Sequence, residues 1–256
     1  MEHETTILLA AVQEAGQAIT SLQKQGFSIS RKANNDLLTQ ADLLANQILK
    51  KALTTTFPNI GWLSEECADD VARLACNRVW IVDPIDGTIE FAHGVPEYGI
   101  SVALVEHGLP ILAAVYNPAT NELFHAIKGK GAWLNEKSIS CCRAEPDKKM
   151  ILLASRSEYG RGEWDSYQRD YEVKQVGSIA YKLALIAAGR GHATFSLGLK
   201  NEWDIAAGVL LVQEAGGIVT DRHRQAIRFN QEKTLVPGIV ATIAEFNDAI
   251  FAAINA

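Results

Sequence analysis

Residues 80–88 read Trp-Ile-Val-Asp-Pro-Ile-Asp-Gly-Thr, and this stretch carries the strongest signal in the chain. Its aromatic and β-branched beginning predicts a buried strand, and the Pro and Gly that follow predict a sharp turn. The turn holds two carboxylates, Asp83 and Asp86, on either side of Pro84, where their charges would repel each other. A divalent cation such as Mg²⁺ would remove that repulsion, because it prefers hard oxygen ligands. The alternative is an ordinary Asx turn whose carboxylates are solvated.

Further acidic residues lie on both sides of this stretch. Leu63-Ser64-Glu65-Glu66 ends a preceding strand-like segment, and Asn201-Glu202-Trp203-Asp204 opens a predicted helix. Taken alone, Asp204 is typical of an N-cap or of a first-turn partner of the helix dipole. An EF-hand that began at Asp83 would need a Glu at the position of Gly94, so the spacing excludes that calcium-binding motif.

The hydrophobic pattern predicts two α/β halves. Apolar residues at helical spacing predict a helix over residues 5–25. Short β-branched runs between residues 60 and 126 predict an antiparallel or mixed sheet. Strand and helix patterns alternate beyond a charged connector at residues 143–149. We therefore expect an N-terminal α+β half, residues 1–140, and a C-terminal α/β half, residues 141–256.

The composition is typical of a folded globular protein. Apolar residues make up 48% of the 256 residues and charged residues 21%, which excludes a disordered tail, a collagen-like fibre and a coiled coil. The formal net charge of −6 argues against a nucleic-acid polymer as a partner. The acidic N-terminus lacks the features of a secretory signal, and no apolar run reaches the roughly 18 to 20 residues of a membrane span. We expect a cytoplasmic protein without a membrane partner.

Motifs in three parts of the chain resemble, in their order, the inositol monophosphatase superfamily of Mg²⁺-dependent, lithium-sensitive phosphomonoesterases. They are Leu-Ser-Glu-Glu (63–66), the stretch 80–88, and Glu-Trp-Asp-Ile-Ala-Ala-Gly with Gln-Glu-Ala-Gly-Gly (202–208 and 213–217). The resemblance implies an α/β (α+β) fold, the layered αβαβα sandwich of the sugar-phosphatase type. It also implies hydrolysis of a small phosphate ester by metal-activated water, inhibition by Li⁺ and a homodimer.

The resemblance also implies the metal ligands. Asp83 would bridge two Mg²⁺ ions. The first ion would also bind Glu65 and the backbone carbonyl of Ile85, and the second would also bind Asp86 and Asp204. A third, weaker Mg²⁺ would lie near Glu65. One ion would lower the pKa of a bound water, and the other would stabilise the leaving alkoxide and the phosphate oxygens.

Thr88 and Asp42 match the pair that helps to activate the nucleophilic water in this family. Together with Glu65 they would form the catalytic group. Asp42 also has a second interpretation, because Thr39 and Asp42 have the spacing of a capping box for the helix that follows Thr39. One carboxylate could serve both roles.

The predicted substrate contacts surround the metal ligands. Backbone amides of Gly87 and Thr88 at a helix start would bind phosphate, because unpaired N–H groups and the helix dipole favour an anion. Gly177 and Ser178 offer a second helix start, which would face the leaving group, and an ordinary N-cap is an equal alternative. Lys200 is a candidate for binding a second phosphate. The resemblance also implies that three of the metal ligands, Glu65, Asp86 and Asp204, contact the substrate.

Two short stretches of sequence indicate which branch of the family, and therefore which substrate, this chain matches. Inositol phosphatases carry a Glu shortly before the Trp-Asp motif, where this chain has Ser196 or Leu197, so no carboxylate is available at that place. Asp-Gly-Thr is followed by Ile-Glu-Phe (89–91), which is similar to bacterial 3'(2'),5'-bisphosphate nucleotidases. We therefore predict a 3'(2'),5'-bisphosphate nucleotidase. The alternatives are an inositol-phosphate phosphatase, which residues 91–96 resemble, then a fructose-1,6-bisphosphatase and, in a different class, a non-catalytic metal-dependent regulator.

Overall fold

The structure, a computed structural model, describes residues 1–33, 35–142 and 149–255. Most of the predicted connector at residues 143–149 therefore lies outside the described residues. The helices are α1 (Glu2–Gln25), α2 (Gln40–Thr56), α3 (Thr88–Ala92), α4 (Arg156–Gly160), α5 (Ile179–Ala187), α6 (Glu202–Glu214) and α7 (Asn247–Ile254). The strands are β1 (Ile29–Arg31), β2 (Leu37–Thr39), β3 (Gly61–Ser64), β4 (Arg78–Asp86), β5 (Gly99–Glu106), β6 (Leu109–Asn117), β7 (Glu122–Ile127), β8 (Gly131–Leu134), β9 (Lys137–Ile139), β10 (Ile151–Ser155), β11 (Glu172–Val176), β12 (Ala193–Ser196), β13 (Lys200–Asn201), β14 (Gly217–Thr220), β15 (Leu235–Val236) and β16 (Ile239–Ile243).

Two large sheets organise the described part of the chain. The first has seven strands in the order β3-β4-β5-β6-β7-β8-β9, and all its neighbours are antiparallel except β3 and β4. The second has five strands in the order β11-β10-β12-β16-β14, with β10 parallel to both of its neighbours. The mixed sheet that was predicted between residues 60 and 126 is confirmed.

Alternating side chains on the first sheet produce two separate cores. On β4, Trp80 and Val82 pack against α1 and α2, whereas Val79 and Ile81 pack against α5 and α6 on the opposite face. A third core lies between the outer face of the second sheet and α7. The layers are thus helix, sheet, helix, sheet, helix, and the predicted αβαβα fold is confirmed. The division at residue 140 stays a prediction, since α5 and α6 contact both sheets.

The middle layer depends on a close helix crossing. A Cβ added to Gly208 in α6 would lie 2.5 Å from Leu183 Cβ in α5, so only glycine allows this approach. The same helix α6 begins two residues before Asp204 and contacts β4, β5, β6 and β7 of the first sheet. The apolar packing of α6 therefore holds Asp204 near the end of β4.

Several short elements were missed by the hydrophobic pattern. The hairpin β1–β2 is too short to show a period, whereas the helix start that was expected at Gly87 and Thr88 is present as the one-turn helix α3. The predicted final helix begins with a 3₁₀ turn at Ala244–Phe246 before α7. The first predicted helix is confirmed, although it begins at Glu2. Within the described ranges, every helix is too short or too polar to cross a lipid bilayer.

Candidate metal centre and substrate cavity

A cavity of about 700 Å³ is lined by the carboxyl ends of strands from both large sheets and by the first turns of α3, α4, α5 and α6. It brings together nearly all the residues that the sequence singled out: Glu65, Asp83, Ile85, Asp86, Gly87, Thr88, Gly177, Ser178, Lys200 and Asp204. Asp42 does not line the cavity and lies behind Thr88, to which it is hydrogen-bonded.

Three of these acids form a tight cluster. Glu65, Asp83 and Asp204 each place one carboxylate oxygen within 4.8 Å of the oxygens of the other two. Asp83 is only 2% exposed. Asp86 lies outside this group, and its Oδ2 accepts hydrogen bonds from Ser178 Oγ and from the backbone N–H of Ala180, both at 2.6 Å. Its other oxygen has no such bond among the described residues.

The ionised carboxylates of this cluster repel one another, and burial adds to the cost of their charge. Burial raises the pKa of Asp83 well above its ordinary value, and the charges of Glu65, Asp86 and Asp204 raise it further. Burial, followed by the charges of Asp86 and Glu65, raises the pKa of Asp204 to about 8. The donors are all hard oxygen atoms, which is the ligand set that Mg²⁺ prefers. The residues present therefore fit a divalent cation.

A β-bulge directs the carboxylates of this turn. Asp83 pairs with Ser101 and Asp86 pairs with Gly99, so β4 contains one more residue than β5 at this point. Pro84 falls within the bulge, where a missing N–H costs no ladder hydrogen bond. The backbone N–H of Ile85 donates to Asp83 Oδ1 at 3.0 Å, so the alternative Asx turn is present, but its carboxylate is buried and not solvated.

The two carboxylate oxygens of Asp42 make separate contacts, one within the predicted capping box and one with Thr88. Its Oδ2 accepts hydrogen bonds from the backbone N–H and the hydroxyl of Thr39 at 2.8 and 2.6 Å, which completes the capping box of α2. Its Oδ1 lies 3.1 Å from Thr88 Oγ1. Thr88 Oγ1 lies equally far from the carbonyl oxygen of Ile85. The pairing of Asp42 with Thr88 follows from packing α2 against β4.

Ser178 is the N-cap of α5, which was one of its two predicted interpretations, and the predicted contact with the leaving group stays a prediction. Its Oγ accepts a hydrogen bond from the backbone N–H of Tyr181 at 2.9 Å, as an N-cap does, and donates to Asp86. The preceding Gly177 allows close packing, since an added Cβ would lie 2.5 Å from Glu90 Cγ and 2.6 Å from the carbonyl oxygen of Glu97. The start of α5 therefore holds the Asp86 carboxylate, at the end of β4, in place.

Lys182 is a cavity residue that sequence reasoning missed. Its side chain is buried in α5, with the residue 3% exposed, and Nζ donates to the carbonyl oxygen of Gly177 at 3.0 Å. Burial lowers the pKa of Lys182 to about 8, although Asp86, Glu158 and Glu90 oppose this change. A lysine within an otherwise apolar helical run was the available signal.

Lys32 is a second basic residue that was missed. Its Nζ lies 2.7 Å from Glu65 Oε1 and 2.6 Å from Glu66 Oε1. Glu66, which matches no family ligand, is therefore half of an ion pair. Lys32 links the β1–β2 hairpin to the strand end that carries Glu65.

Glu158 corrects the expectation that no carboxylate is available near Ser196. It lies in α4 and lines the cavity, and its Oε1 accepts a hydrogen bond from Ser196 Oγ at 2.6 Å. The expected place does hold a carboxylate, supplied by a segment 38 residues earlier in the chain. Sequence spacing alone could not reveal this contact.

Known proteins are similar to this chain in sequence and in fold. The model of the inositol monophosphatase family matches residues 1–254. The Inositol-1-monophosphatase of Rhizobium meliloti is 35% identical over 225 residues, which cover 84% of each chain. The Nus factor SuhB of Xylella fastidiosa is 34% identical over 227 residues, which cover 84% of this chain and 80% of that protein. Among solved structures, a Thermotoga maritima IMPase superimposes with a TM-score of 0.88 at 26% identity, covering 100% of this chain and 97% of its own.

Proposed function

This chain belongs to the inositol monophosphatase family, and on that basis we propose that it is a Mg²⁺-dependent 3'(2'),5'-bisphosphate nucleotidase. As a member of the family it is a phosphoric monoester hydrolase that acts on small phosphate esters. The proposal adds the ion, the residue roles and the substrate. It is supported by the geometry of the cavity described above.

The metal ligands in this proposal are Glu65, Asp83, the carbonyl oxygen of Ile85, Asp86 and Asp204. When bound, the cations would supply Lewis-acid activation of water and neutralise charge on the phosphate and on the leaving oxygen. The close oxygens of Glu65, Asp83 and Asp204 support this assignment. Ser178 and the N–H of Ala180 keep the Asp86 carboxylate in one orientation.

Thr88 orients the nucleophilic water in this proposal. A hydroxyl has one hydrogen, and donating it to Asp42 Oδ1 leaves the oxygen of Thr88 free to accept a hydrogen bond from water. Asp42 in turn is fixed by Thr39, so the hydroxyl keeps its direction. The amides of Gly87 and Thr88, at the start of α3, are proposed to bind the phosphate.

The observation that carries the nucleotidase proposal is a pair of lysines in the same cavity. Lys182 and Lys200 both line it, and their charges oppose the rise in the pKa of Asp86 that its burial causes. Two divalent cations would balance the four acidic side chains of the proposed metal site. Lys200 and Lys182, although Glu158 and Glu90 lie within range of the Lys182 charge, are then proposed to attract a second phosphate, which a bisphosphate carries and a monophosphate lacks.

An inositol-phosphate phosphatase is the second candidate. The curated relative from Rhizobium meliloti carries that name, and Glu158 places a carboxylate beside Ser196. A carboxylate is suited to accept hydrogen bonds from the hydroxyl groups of a polyol. This candidate shares the proposed metal site and differs only in how the leaving alcohol is recognised.

The deciding experiment measures phosphate release with Mg²⁺ from adenosine 3',5'-bisphosphate and from inositol 1-phosphate at matched concentrations. We expect kcat/KM for the nucleotide to be higher by about tenfold or more. A preference for inositol 1-phosphate would overturn the nucleotidase proposal and leave the metal site standing. In the same assay, a chelator tests the dependence on the proposed ion, and a LiCl titration tests the proposed inhibition by Li⁺. Analytical ultracentrifugation tests the proposed homodimer.

A further inference from the structure

The segment between β14 and β15 connects two buried charged residues, Glu202 and Arg73. Glu202 opens α6 and is fully buried. Its Oε2 accepts a hydrogen bond from the backbone N–H of Asn230 at 2.6 Å, and its Oε1 accepts one from the N–H of Gln231 at 2.8 Å. Asn230 has a φ of 58°, in the left-handed region, and such a turn can direct successive N–H groups at one anion. The start of α6 is therefore attached to residues 230 and 231.

Arg73 binds the same two residues. It lies in the 3₁₀ turn Val71–Ala75, and its side chain is 1% exposed. Its Nη1 donates to Asn230 Oδ1 at 2.7 Å, and its Nη2 donates to the carbonyl oxygen of Gln231 at 3.0 Å. The side-chain amide of Asn230 donates in return to the carbonyl oxygen of Arg73 at 3.3 Å. These contacts join the 3₁₀ turn to the start of α6.

Asp69 completes the surroundings of the Arg73 guanidinium. Nε donates to Asp69 Oδ1 at 2.6 Å and Nη2 donates to Asp69 Oδ2 at 2.8 Å, so the pair is bidentate. Four of the five guanidinium N–H groups thus have acceptors among the described residues. The negative charge of Glu202 also acts on Arg73. A buried arginine with these partners has a fixed orientation.

The two ends of this network lie beside two proposed metal ligands. Asp204 lies two residues after Glu202, in the first turn of α6. Glu65 lies four residues before Asp69, in the loop after β3. Neither Arg73 nor Glu202 lines the cavity. We call the residues of this network the Arg73 clamp: Asp69, Arg73, Glu202, Asn230 and Gln231.

The position of Glu65 relative to Asp204 matters because their charges repel each other. Without a cation, this repulsion favours movement of the loop after β3 away from α6. The Arg73 clamp opposes that movement, because charge-assisted hydrogen bonds hold each of its ends. A cation then meets ligands that already lie close together, and its binding requires less reorganisation of the protein.

We propose that Arg73 is a positioning residue for the proposed cation site, which holds the loop that carries Glu65 close to the start of α6 and thereby raises the affinity for Mg²⁺. The inference rests on the proposed Mg²⁺-dependent function and adds a residue that lies outside the cavity. Arg73 acts through the clamp and not on the substrate. Its replacement should therefore weaken cation binding, while kcat at saturating Mg²⁺ stays near the wild-type value.

Two variants break the clamp at different contacts. Arg73→Lys keeps the positive charge but loses the planar fork that binds several acceptors at once. Asp69→Asn leaves Arg73 in place and removes the charge that ties the loop to it. Because the Asp69 side chain is 38% exposed, this second variant should fold. The matched control is Arg78→Lys, whose arginine pairs with Glu106 and Glu4 at the start of β4.

Calorimetric titration with MgCl₂, well below the melting temperature of each variant, measures the Kd for Mg²⁺. We expect this Kd to rise about tenfold in Arg73→Lys and about threefold in Asp69→Asn, and to stay within about twofold of wild type in Arg78→Lys. A second readout is the rise in Tm that Mg²⁺ causes relative to EDTA. This rise should shrink in the first two variants and not in the control, because weaker binding stabilises the folded state less.

A wild-type Kd in both Arg73→Lys and Asp69→Asn would overturn the inference. So would an equal fall in Tm with and without Mg²⁺ at an unchanged Kd, because that indicates a purely structural role. If Arg73→Lys does not fold, the Kd of Asp69→Asn decides. A wild-type protein that binds no Mg²⁺ would overturn the proposed metal site itself and this inference with it, so the two failures are distinguished by the wild-type titration.

Discussion

Thr88 Oγ1 lies 3.1 Å from Asp42 Oδ1, while the second oxygen of the same carboxylate caps helix α2 through Thr39. One buried side chain thus joins the start of α2 to the turn that follows β4. Burial raises the pKa of Asp42, whereas its hydrogen bonds from Thr39 and Thr88 oppose that rise. The direction of the Thr88 hydroxyl therefore depends on a residue 46 positions away.

Thr88→Ala should lower kcat with little change in Mg²⁺ affinity. The hydroxyl is proposed to orient the water and not to bind the ion, so its loss should cost about a hundredfold in turnover. Steady-state kinetics and a calorimetric Mg²⁺ titration measure the two quantities. Thr88→Ser keeps the hydroxyl and serves as the control. A parallel loss of Mg²⁺ affinity in Thr88→Ala would contradict the assigned role.

Thr39→Ala should lower the free energy of unfolding and leave kcat nearly unchanged. It removes the N-cap oxygen that accepts from Ala41 at 3.1 Å and a donor to Asp42, which should cost about 1 kcal/mol in the free energy of unfolding. Asp42 keeps the backbone N–H of residue 39 and the hydroxyl of Thr88, so kcat should stay within about twofold of wild type. Urea unfolding and kinetics test this, with Thr55→Ala, at an exposed position of the same helix, as the control. A fall in kcat as large as that of Thr88→Ala would refute it.

The metal-free protein should lose stability as the pH rises from about 4 to about 8. The pKa of Asp204 is about 8 in the fold against an ordinary 3.8, so between these values the folded state binds the proton that the unfolded state has released. Unfolding in EDTA at several pH values measures the slope. Mg²⁺ should abolish it, and Asp204→Asn should reduce it. If the free energy of unfolding rose with pH over this range in EDTA, the predicted direction of the pH dependence would be wrong.

Lys182→Met should weaken binding of a bisphosphate more than binding of a monophosphate. With a pKa of about 8 the ammonium is mostly charged at pH 7, and methionine fills a similar volume without the charge. We expect KM for adenosine 3',5'-bisphosphate to rise about tenfold, with a smaller effect on inositol 1-phosphate. The exposed Lys174→Met is the matched control. Equal effects on both substrates would argue against a second phosphate near Lys182.

Local signals explain the part of the site that the sequence predicted. The β-branched run and the Pro and Gly of residues 80–88 act within one strand and one turn, so the local geometry of Asp83 follows from neighbouring residues, whereas that of Asp86 also depends on Ser178 and Ala180. Residue pairing across the fold was accessible only through family resemblance, as for Thr88 with Asp42.

The cavity residues that the sequence did not predict were missed for one physical reason. Glu158 meets Ser196 because β10 and β12 are neighbours in the second sheet, and no periodic pattern encodes that order. In the sequence, Lys182 is one polar residue in an otherwise apolar helix. Its burial arises because α5 packs between two sheets. Contacts set by sheet order and layer packing lie beyond what local spacing can predict.

The crossing of α5 and α6 at Gly208 links the apolar interior to the chemistry. Ser178, which holds Asp86, begins α5, and Asp204 lies in the first turn of α6, so the spacing of these two helices sets the separation of the acids. Substitutions at Gly208 or Leu183 would therefore alter cation affinity without touching a ligand. The apolar core of this protein therefore takes part in placing the proposed cation ligands, as the residues that line the cavity do.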